Sequence, residues 1–265
     1  AMVDLRKVLR HVWQFEDFRT GQVAAMRQVV ESRPTLLSLA TGSGKSLAYQ
    51  LPALVLWAAC GALTLVVTPL LSLMRDQMQQ LPAGIQAVCL ASDAPGKDAF
   101  GAAAARLASG TVQLLFVSPE RLQSRRFQQM MAREGMPCVR LAVIDEAHCA
   151  DEWSHSFRPA YLQLPQLLRQ LGSPCVLAMT GSATSALAAR LCAMFKIDTD
   201  GVVRGSAVRD NISLSVVTVD ADARPTARED ALVELLRMPA MARLESIIVY
   251  VTTQASADRV AEYLT

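Results

Sequence analysis

Leu36-Leu37-Ser38-Leu39-Ala40-Thr41-Gly42-Ser43-Gly44-Lys45-Ser46 runs from an apolar segment through two glycines into a helical pattern. The apolar half reads as a buried strand and the span 46–58 as the helix after it. Glycines let successive backbone N–H groups curl around an anion, and a helix N-terminus adds a favourable dipole. In that setting Lys45 reaches the β- and γ-phosphates of a nucleotide and Ser46 offers a hydroxyl to Mg²⁺, while Thr41, Gly42, Ser43 and Gly44 line the loop. The strict pattern G-x-x-x-x-G-K-[ST] places a glycine where Leu39 stands, so only its second half is met. A chance Gly-Lys-Ser turn is the alternative. The strand–loop–helix setting, and an acidic pair further along, argue against it.

The same alternation continues outward. Leu63-Thr64-Leu65-Val66-Val67, Gln113-Leu114-Leu115-Phe116-Val117, Leu141-Ala142-Val143-Ile144 and Cys175-Val176-Leu177-Ala178-Met179 read as buried strands, and Gln86-Ala87-Val88-Cys89-Leu90 as a weaker one. Helical patterns fall near 46–58, 70–80, 98–109, 121–133, 160–171 and 184–195. Apolar strands alternating with helices predict an α/β fold with a parallel sheet covered on both faces. A second block starts near Gly205, with strands expected at 213–219 and 246–251 and helices at 228–237 and 255–264. Roughly 60 residues are too few for a complete α/β domain. The expected division is therefore 1–205 and 206–265, the latter the truncated opening of a second domain. Extension of the first sheet is the alternative.

Hydrophobic residues make up 52% of the 265 and charged residues 19%, a globular rather than disordered balance. A net charge of +2 excludes a histone-like polycation, so any nucleic-acid site must be local. No apolar run is long enough for a membrane span and no secretory leader is evident, so an intracellular protein without a membrane partner is expected. The six cysteines show no C-x-x-C spacing and there are three histidines, which argues against a zinc site within the chain.

The acidic pair is Asp145-Glu146, directly after an apolar strand. Mg²⁺ is a hard cation held by few carboxylates plus phosphate oxygens, which makes Asp145 the metal-side candidate. Glu146 is the candidate general base for an attacking water. The chain continues Ala147-His148-Cys149-Ala150-Asp151-Glu152-Trp153-Ser154-His155-Ser156-Phe157-Arg158-Pro159. Trp153 and Phe157 have faces that stack on bases, and Arg158 pairs with phosphate. Two aromatics pinning a loop to the core are the alternative, as is a loop histidine with purely local partners for His155.

Asp145-Glu146-Ala147-His148 resembles the DEAH form of motif II of superfamily-two helicases, and the continuation to Pro159 resembles the aromatic-rich loop of the RecQ DNA helicases. Further stretches resemble that family's motifs in order: Phe18-Arg19-Thr20-Gly21-Gln22 motif 0, Thr68 to Gln77 motif Ia, Ser118-Pro119-Glu120-Arg121-Leu122 motif Ib and Met179-Thr180-Gly181-Ser182-Ala183-Thr184 motif III. Arg209-Asp210-Asn211-Ile212 sits where the family links to its second domain, and Ile247-Ile248-Val249-Tyr250 resembles the motif IV strand. Leu70-Leu71-Ser72-Leu73-Met74 hints at the subgroup containing the Rothmund–Thomson helicase.

The resemblance implies a RecA-like domain, a motif 0 helix ahead of it and an incomplete second RecA-like domain. It also implies ATP and Mg²⁺ as cofactors, and single-stranded and duplex DNA as partners. The implied activity is 3′-to-5′ unwinding in DNA repair or recombination, in the cytoplasm or nucleoid of a bacterium or the nucleus of a eukaryote. Phe15 would stack on adenine, with Arg19 and Gln22 beside it. Lys45, Asp145, Glu146 and His148 would carry hydrolysis. Thr68, Arg75, Ser118, Trp153, His155, Phe157, Arg158, Thr180 and Ser182 would contact DNA or couple it to the ATP site.

Asp151 and Glu152 stand where the family usually has neutral residues. Two acids there weaken phosphate attraction unless they turn to solvent. The family's motifs V and VI, with their arginine finger, would lie beyond Thr265, so poor hydrolysis and no unwinding are expected of this chain alone. A non-motor ATP-dependent binding module, or an RNA helicase of the same superfamily, remains the alternative.

Overall fold

The computed structural model describes residues 4–90, 99–151, 157–181, 183–205, 212–220, 224 and 226–264. The chain divides into two compact units, Ala1–Arg209 and Asp210–Thr265. The first holds seven strands: β1 (Thr35–Ser38), β2 (Leu63–Val67), β3 (Ala87–Leu90), β4 (Leu114–Val117), β5 (Val139–Ile144), β6 (Cys175–Thr180) and β7 (Val202–Arg204). Every pairing among them is parallel, and the order across the sheet is β3-β4-β2-β5-β6-β1-β7.

Two helices, α1 (Leu5–Trp13) and α2 (Gln22–Val30), precede β1. Each of the first three strands is followed by one helix: α3 (Leu47–Cys60), α4 (Leu71–Gln79) and α5 (Ala99–Ala108). Short pairs follow β4 and β5: α6 (Pro119–Leu122) with α7 (Arg125–Met131), then α8 (Pro159–Leu162) with α9 (Leu164–Gln170). Helix α10 (Ser185–Phe195) follows β6.

Successive strand side chains point to opposite faces, so a sheet covered on both sides must be apolar at every position. Leu36, Leu115, Val117, Ala142 and Ile144 enter one core, whereas Leu37, Leu114, Phe116, Leu141 and Val143 enter the other. The unbroken apolar runs of the sequence are those doubly covered strands. Parallel strands end on one common edge, where residues 39–46, Thr68, Ser118, Asp145 and Gly181 gather, the usual place for ligands in such sheets.

Four features of this unit differ from the sequence reading. The span 160–171 is two short helices, α8 and α9. The span 121–133 is two helices, because Ser118 and Ser124 each cap a separate start: Ser118 Oγ accepts from Arg121 N at 3.2 Å and Ser124 Oγ from Phe127 N at 3.3 Å. Strand β7 was not expected, its apolar run being only Val202-Val203. It is three residues long, lies at the sheet edge and pairs Val202 with Leu36. The expected motif 0 helix is broken: α1 stops at Trp13 with Gln14 in the left-handed region (φ 57°), so Phe15 and Phe18 lie on a loop.

The second unit contains α11 (Ala227–Arg237) and α12 (Gln254–Leu264). They are tied by Tyr263 Oη to Asp230 Oδ1 at 2.5 Å and by Arg259 to Glu229 at 3.1 Å. The strands expected at 213–219 and 246–251 do not form among the described residues. A strand exists only by hydrogen-bonding a neighbour; lacking one, Leu214 and Val216 are 91% exposed. No helix among the described residues is long and apolar enough to cross a membrane.

Candidate nucleotide and nucleic-acid site

The loop after β1 turns on two glycines, Gly42 and Gly44, both at φ 80°. A side chain at Gly44 is disfavoured by that φ, and a Cβ, 2.8 Å from Gln22 Nε2, would make the end of the Gln22 side chain shift. Gln22, buried at the start of α2, donates from Nε2 to Gly44 O at 2.8 Å and accepts from Arg19 N at 2.8 Å. Arg19 donates to Gly42 O at 2.8 Å. Both residues expected beside adenine therefore brace the phosphate loop. Lys45 Nζ folds back onto Leu39 O (3.0 Å) and Ala40 O (3.3 Å). Ser46 sits at the N-cap of α3, Thr41 is exposed, and the buried Ser43 hydroxyl has no hydrogen-bond partner. Beside Gly44 and Ser46 opens a cleft of about 570 Å³, lined by Trp13, Phe15, Arg19, Gln22 and Gln50. Phe15 stands 54% exposed on it.

Asp145 N continues the β2–β5 ladder by bonding Val67 O at 2.9 Å, which fixes the carboxylate at the strand end. Its oxygens are engaged separately: Oδ1 by Glu146 N at 3.0 Å and Oδ2 by Gln77 Nε2 at 3.2 Å. The fully buried Tyr161 donates to Asp145 O at 3.0 Å. Burial, then the charge of Glu146, pushes the Asp145 carboxyl up; the two hydrogen bonds and Lys45 oppose that shift.

Glu146 lies in the left-handed region (φ 48°), a conformation that costs a non-glycine residue about 1–3 kcal/mol. The turn carries its Oε2 to 3.2 Å from His148 Nδ1. His148, with Lys45 beyond it, holds the Glu146 carboxyl below its ordinary value. The Cys149 sulfur and the Glu146 carboxylate raise the His148 imidazole to about 10. The same Nδ1 is 3.3 Å from Thr180 Oγ1, at the end of β6. One imidazole thus joins motifs II and III.

On either side of residues 152–156 the described chain is tied down. Arg158 N donates to Cys149 O at 2.9 Å, and the Arg158 guanidinium lies 3.6 Å from Glu120 of α6. Asp151, expected to weaken phosphate attraction or face solvent, instead pairs with Arg190 of α10 at 2.7 Å, its side chain 10% exposed. Phe157 is half-buried. Trp153, His155 and Ser182, like Glu152, lie outside the described residues.

Of the other expected DNA contacts, Arg75 is exposed on the outer face of α4. Thr68, Ser118 and Thr180 are buried at the strand ends, where Ser118 caps α6 and Thr180 meets His148. The sequence reading missed Gln77, Tyr49, Tyr161 and Arg190. Gln77 carried a signal, being a polar residue three positions after Met74 on the inward stripe of an amphipathic helix. The other three carried none, since a core tyrosine and a surface arginine look the same with or without a functional partner.

A family model described as DEAD/DEAH box helicase matches residues 19–190. The chain is 38% identical to ATP-dependent DNA helicase Q-like 5 of Arabidopsis thaliana over 98% of its own length and 28% of that protein's. It is 38% identical to ATP-dependent DNA helicase Q4 of Mus musculus over 91% of its length and 20% of that protein's. It is 34% identical to ATP-dependent DNA helicase RecQ of Bacillus subtilis over 98% of its length and 42% of that protein's. It thus spans less than half the length of each of these relatives. Among solved structures, the DUF1998 helicase MrfA superposes over 100% of this chain and 40% of its own with a TM-score of 0.66 at 14% identity, a likeness of fold. With the ordered motifs and the matching sheet, these similarities establish that the chain belongs to the DEAD/DEAH box helicases, within the RecQ family.

Proposed function

We propose that the chain binds ATP with Mg²⁺ and couples its hydrolysis to single-stranded DNA, as the nucleotide-binding part of a 3′-to-5′ DNA helicase. One observation carries the reading: the Lys45 loop after β1 and the Asp145-Glu146 turn after β5 leave the same edge of one parallel sheet, with only β6 between their strands. Phosphate grip, metal-side carboxylate and base therefore share one edge of one sheet.

Asp145 and the Ser46 hydroxyl are the hard oxygen ligands that would hold Mg²⁺ on the phosphates. Among the described residues no group of three or more His, Cys, Asp or Glu side chains is placed to hold a metal ion by itself. Mg²⁺ bound with a nucleotide needs no such cluster, because phosphate and water oxygens complete its shell. The ion supplies charge neutralisation at the phosphates. Glu146, kept ionised by His148, accepts the proton of the attacking water. Lys45 exchanges its loop carbonyls for phosphate oxygens, and the unpartnered Ser43 hydroxyl is available to the same group. Phe15 offers an exposed face for adenine at the cleft beside Gly44.

On the nucleic-acid side, Arg75, Phe157 and Arg158 are the described residues with chemistry suited to a single strand. His148, between Glu146 and Thr180, is the link from that side to the base. DNA rather than RNA is favoured by the three relatives compared above, each named as a DNA helicase. The test is fluorescence binding of an ATP analogue with Mg²⁺ and anisotropy of labelled 20-mers. Lys45→Ala should abolish nucleotide binding, and single-stranded DNA should bind more tightly than RNA of the same sequence. Equal affinity for both polymers, or nucleotide binding indifferent to Lys45, would defeat the proposal.

A further inference from the structure

Gln77 sits on the inward face of α4, one turn after the fully buried Met74. A polar amide on that face is costly unless both its ends are hydrogen-bonded. Here both are. A carboxylate only accepts hydrogen bonds, so the amide nitrogen must face Asp145 Oδ2, at 3.2 Å. The amide oxygen then faces Tyr49, whose hydroxyl donates to it at 3.1 Å. Tyr49 is fully buried in the first turn of α3, the helix that the phosphate loop opens, and burial pushes its phenol well above the ordinary value, so it stays a donor. Direction is therefore fixed along the whole chain, from Tyr49 to Gln77 to Asp145. Three segments meet in it: the helix of the phosphate loop, the helix after Thr68-Pro69, and the turn after β5. On the opposite face of α4, Ser72 and Arg75 are exposed.

We infer that Gln77 is a positioning residue of the nucleotide site, its amide fixing the Asp145 carboxylate against the helix of the phosphate loop. The inference rests on the reading of Asp145 as the metal-side carboxylate. A carboxylate oxygen held by a directed N–H keeps one orientation before Mg²⁺ arrives. Released, it must be ordered when the ion binds, and groups that orient a metal ligand in this way typically contribute about 10–100-fold in metal affinity. The bond also connects the exposed face of α4 to Asp145 through a single side chain, so a shift of that helix on contact with a strand of DNA reaches the carboxylate directly.

Gln77→Met keeps the length of the side chain and removes both hydrogen bonds. In the 265-residue chain, a fluorescent ATP analogue is titrated with Mg²⁺, and separately bound in EDTA. Half-saturation by Mg²⁺ should move up about tenfold in Gln77→Met, while affinity in EDTA stays at the wild-type value. A purely packing role would weaken both alike. Tyr49→Phe, which leaves the bond to Asp145 but frees the other end of the amide, should give a smaller shift in the same direction. If Gln77→Met folds and shows an unchanged Mg²⁺ requirement, or an equal loss with and without Mg²⁺, the inference is overturned. Should Gln77→Met not fold, Tyr49→Phe decides by the same titration, an unchanged Mg²⁺ requirement again overturning it. Failure of the underlying reading looks different: the wild-type chain would then show no Mg²⁺-dependent binding that Lys45→Ala removes.

Discussion

At Gly44 two constraints coincide, a backbone that L-residues rarely adopt and a Gln22 side-chain end that must shift to admit a Cβ. Gly44→Ala must either displace Gln22 from the loop carbonyl or unwind the turn. The strain alone costs more than about 1 kcal/mol, and it falls on the loop proposed to grip phosphate. Nucleotide affinity should fall at least about tenfold, the equivalent of 1.4 kcal/mol, with a lower urea midpoint; a fluorescence titration and a denaturation curve check the two effects separately. Gly42, at the same φ with open space around it, should tolerate alanine better. The placement of Lys45, Ser46, Asp145 and Glu146 just after buried strands was legible in the sequence, because a strand–loop–helix run and an acidic strand end are short-range patterns. The partners of Gln22, Gln77 and Tyr161 were not. Each bonds a residue distant in the chain, and only the packed sheet brings them together.

Helices were legible as periodic spans, their ends less so, because one serine can restart a helix inside a continuous pattern. Ser124 shows this: its hydroxyl caps α7, whose Phe127 is buried one turn on. Ser124→Ala leaves that start uncapped and should cost about 1 kcal/mol of stability, measured as a shift in urea midpoint at unchanged slope. The pair α11–α12 gives a pH-dependent case. The Tyr263 hydroxyl, with Thr226 and Arg224, holds the Asp230 carboxyl below its ordinary value. A lowered folded value means stabilisation present above the unfolded pKa and lost as pH falls through the folded one. Tyr263→Phe should therefore move the Asp230 titration up toward the ordinary carboxylate range, seen by NMR, and weaken the helix pair at neutral pH but not in strong acid. The edge strand β7 escaped the sequence reading because its apolar run, Val202-Val203, is only two residues long.

Across the whole molecule the two units differ in how their apolar residues are used. In the first, alternate positions of each central strand fill two cores, and every described strand has a ladder partner. In the second, 246–251 has the composition of a buried strand, yet Ile248 and Tyr250 are 74% and 88% exposed. Composition suggested a strand that does not form here; pairing, a property of the neighbours, was not written in it. The consequence is a contrast in hydrogen exchange. Amides of β2 and β5, at the centre of the sheet, should exchange only through global opening. Those of 212–220 and 244–251 should exchange close to the rate of an unstructured peptide, since no ladder protects them. Mass spectrometry of the exchanged chain checks both. Protection of 246–251 that grows with protein concentration would mean that a second copy supplies the missing edge, because an exposed apolar strand is a ready template for pairing.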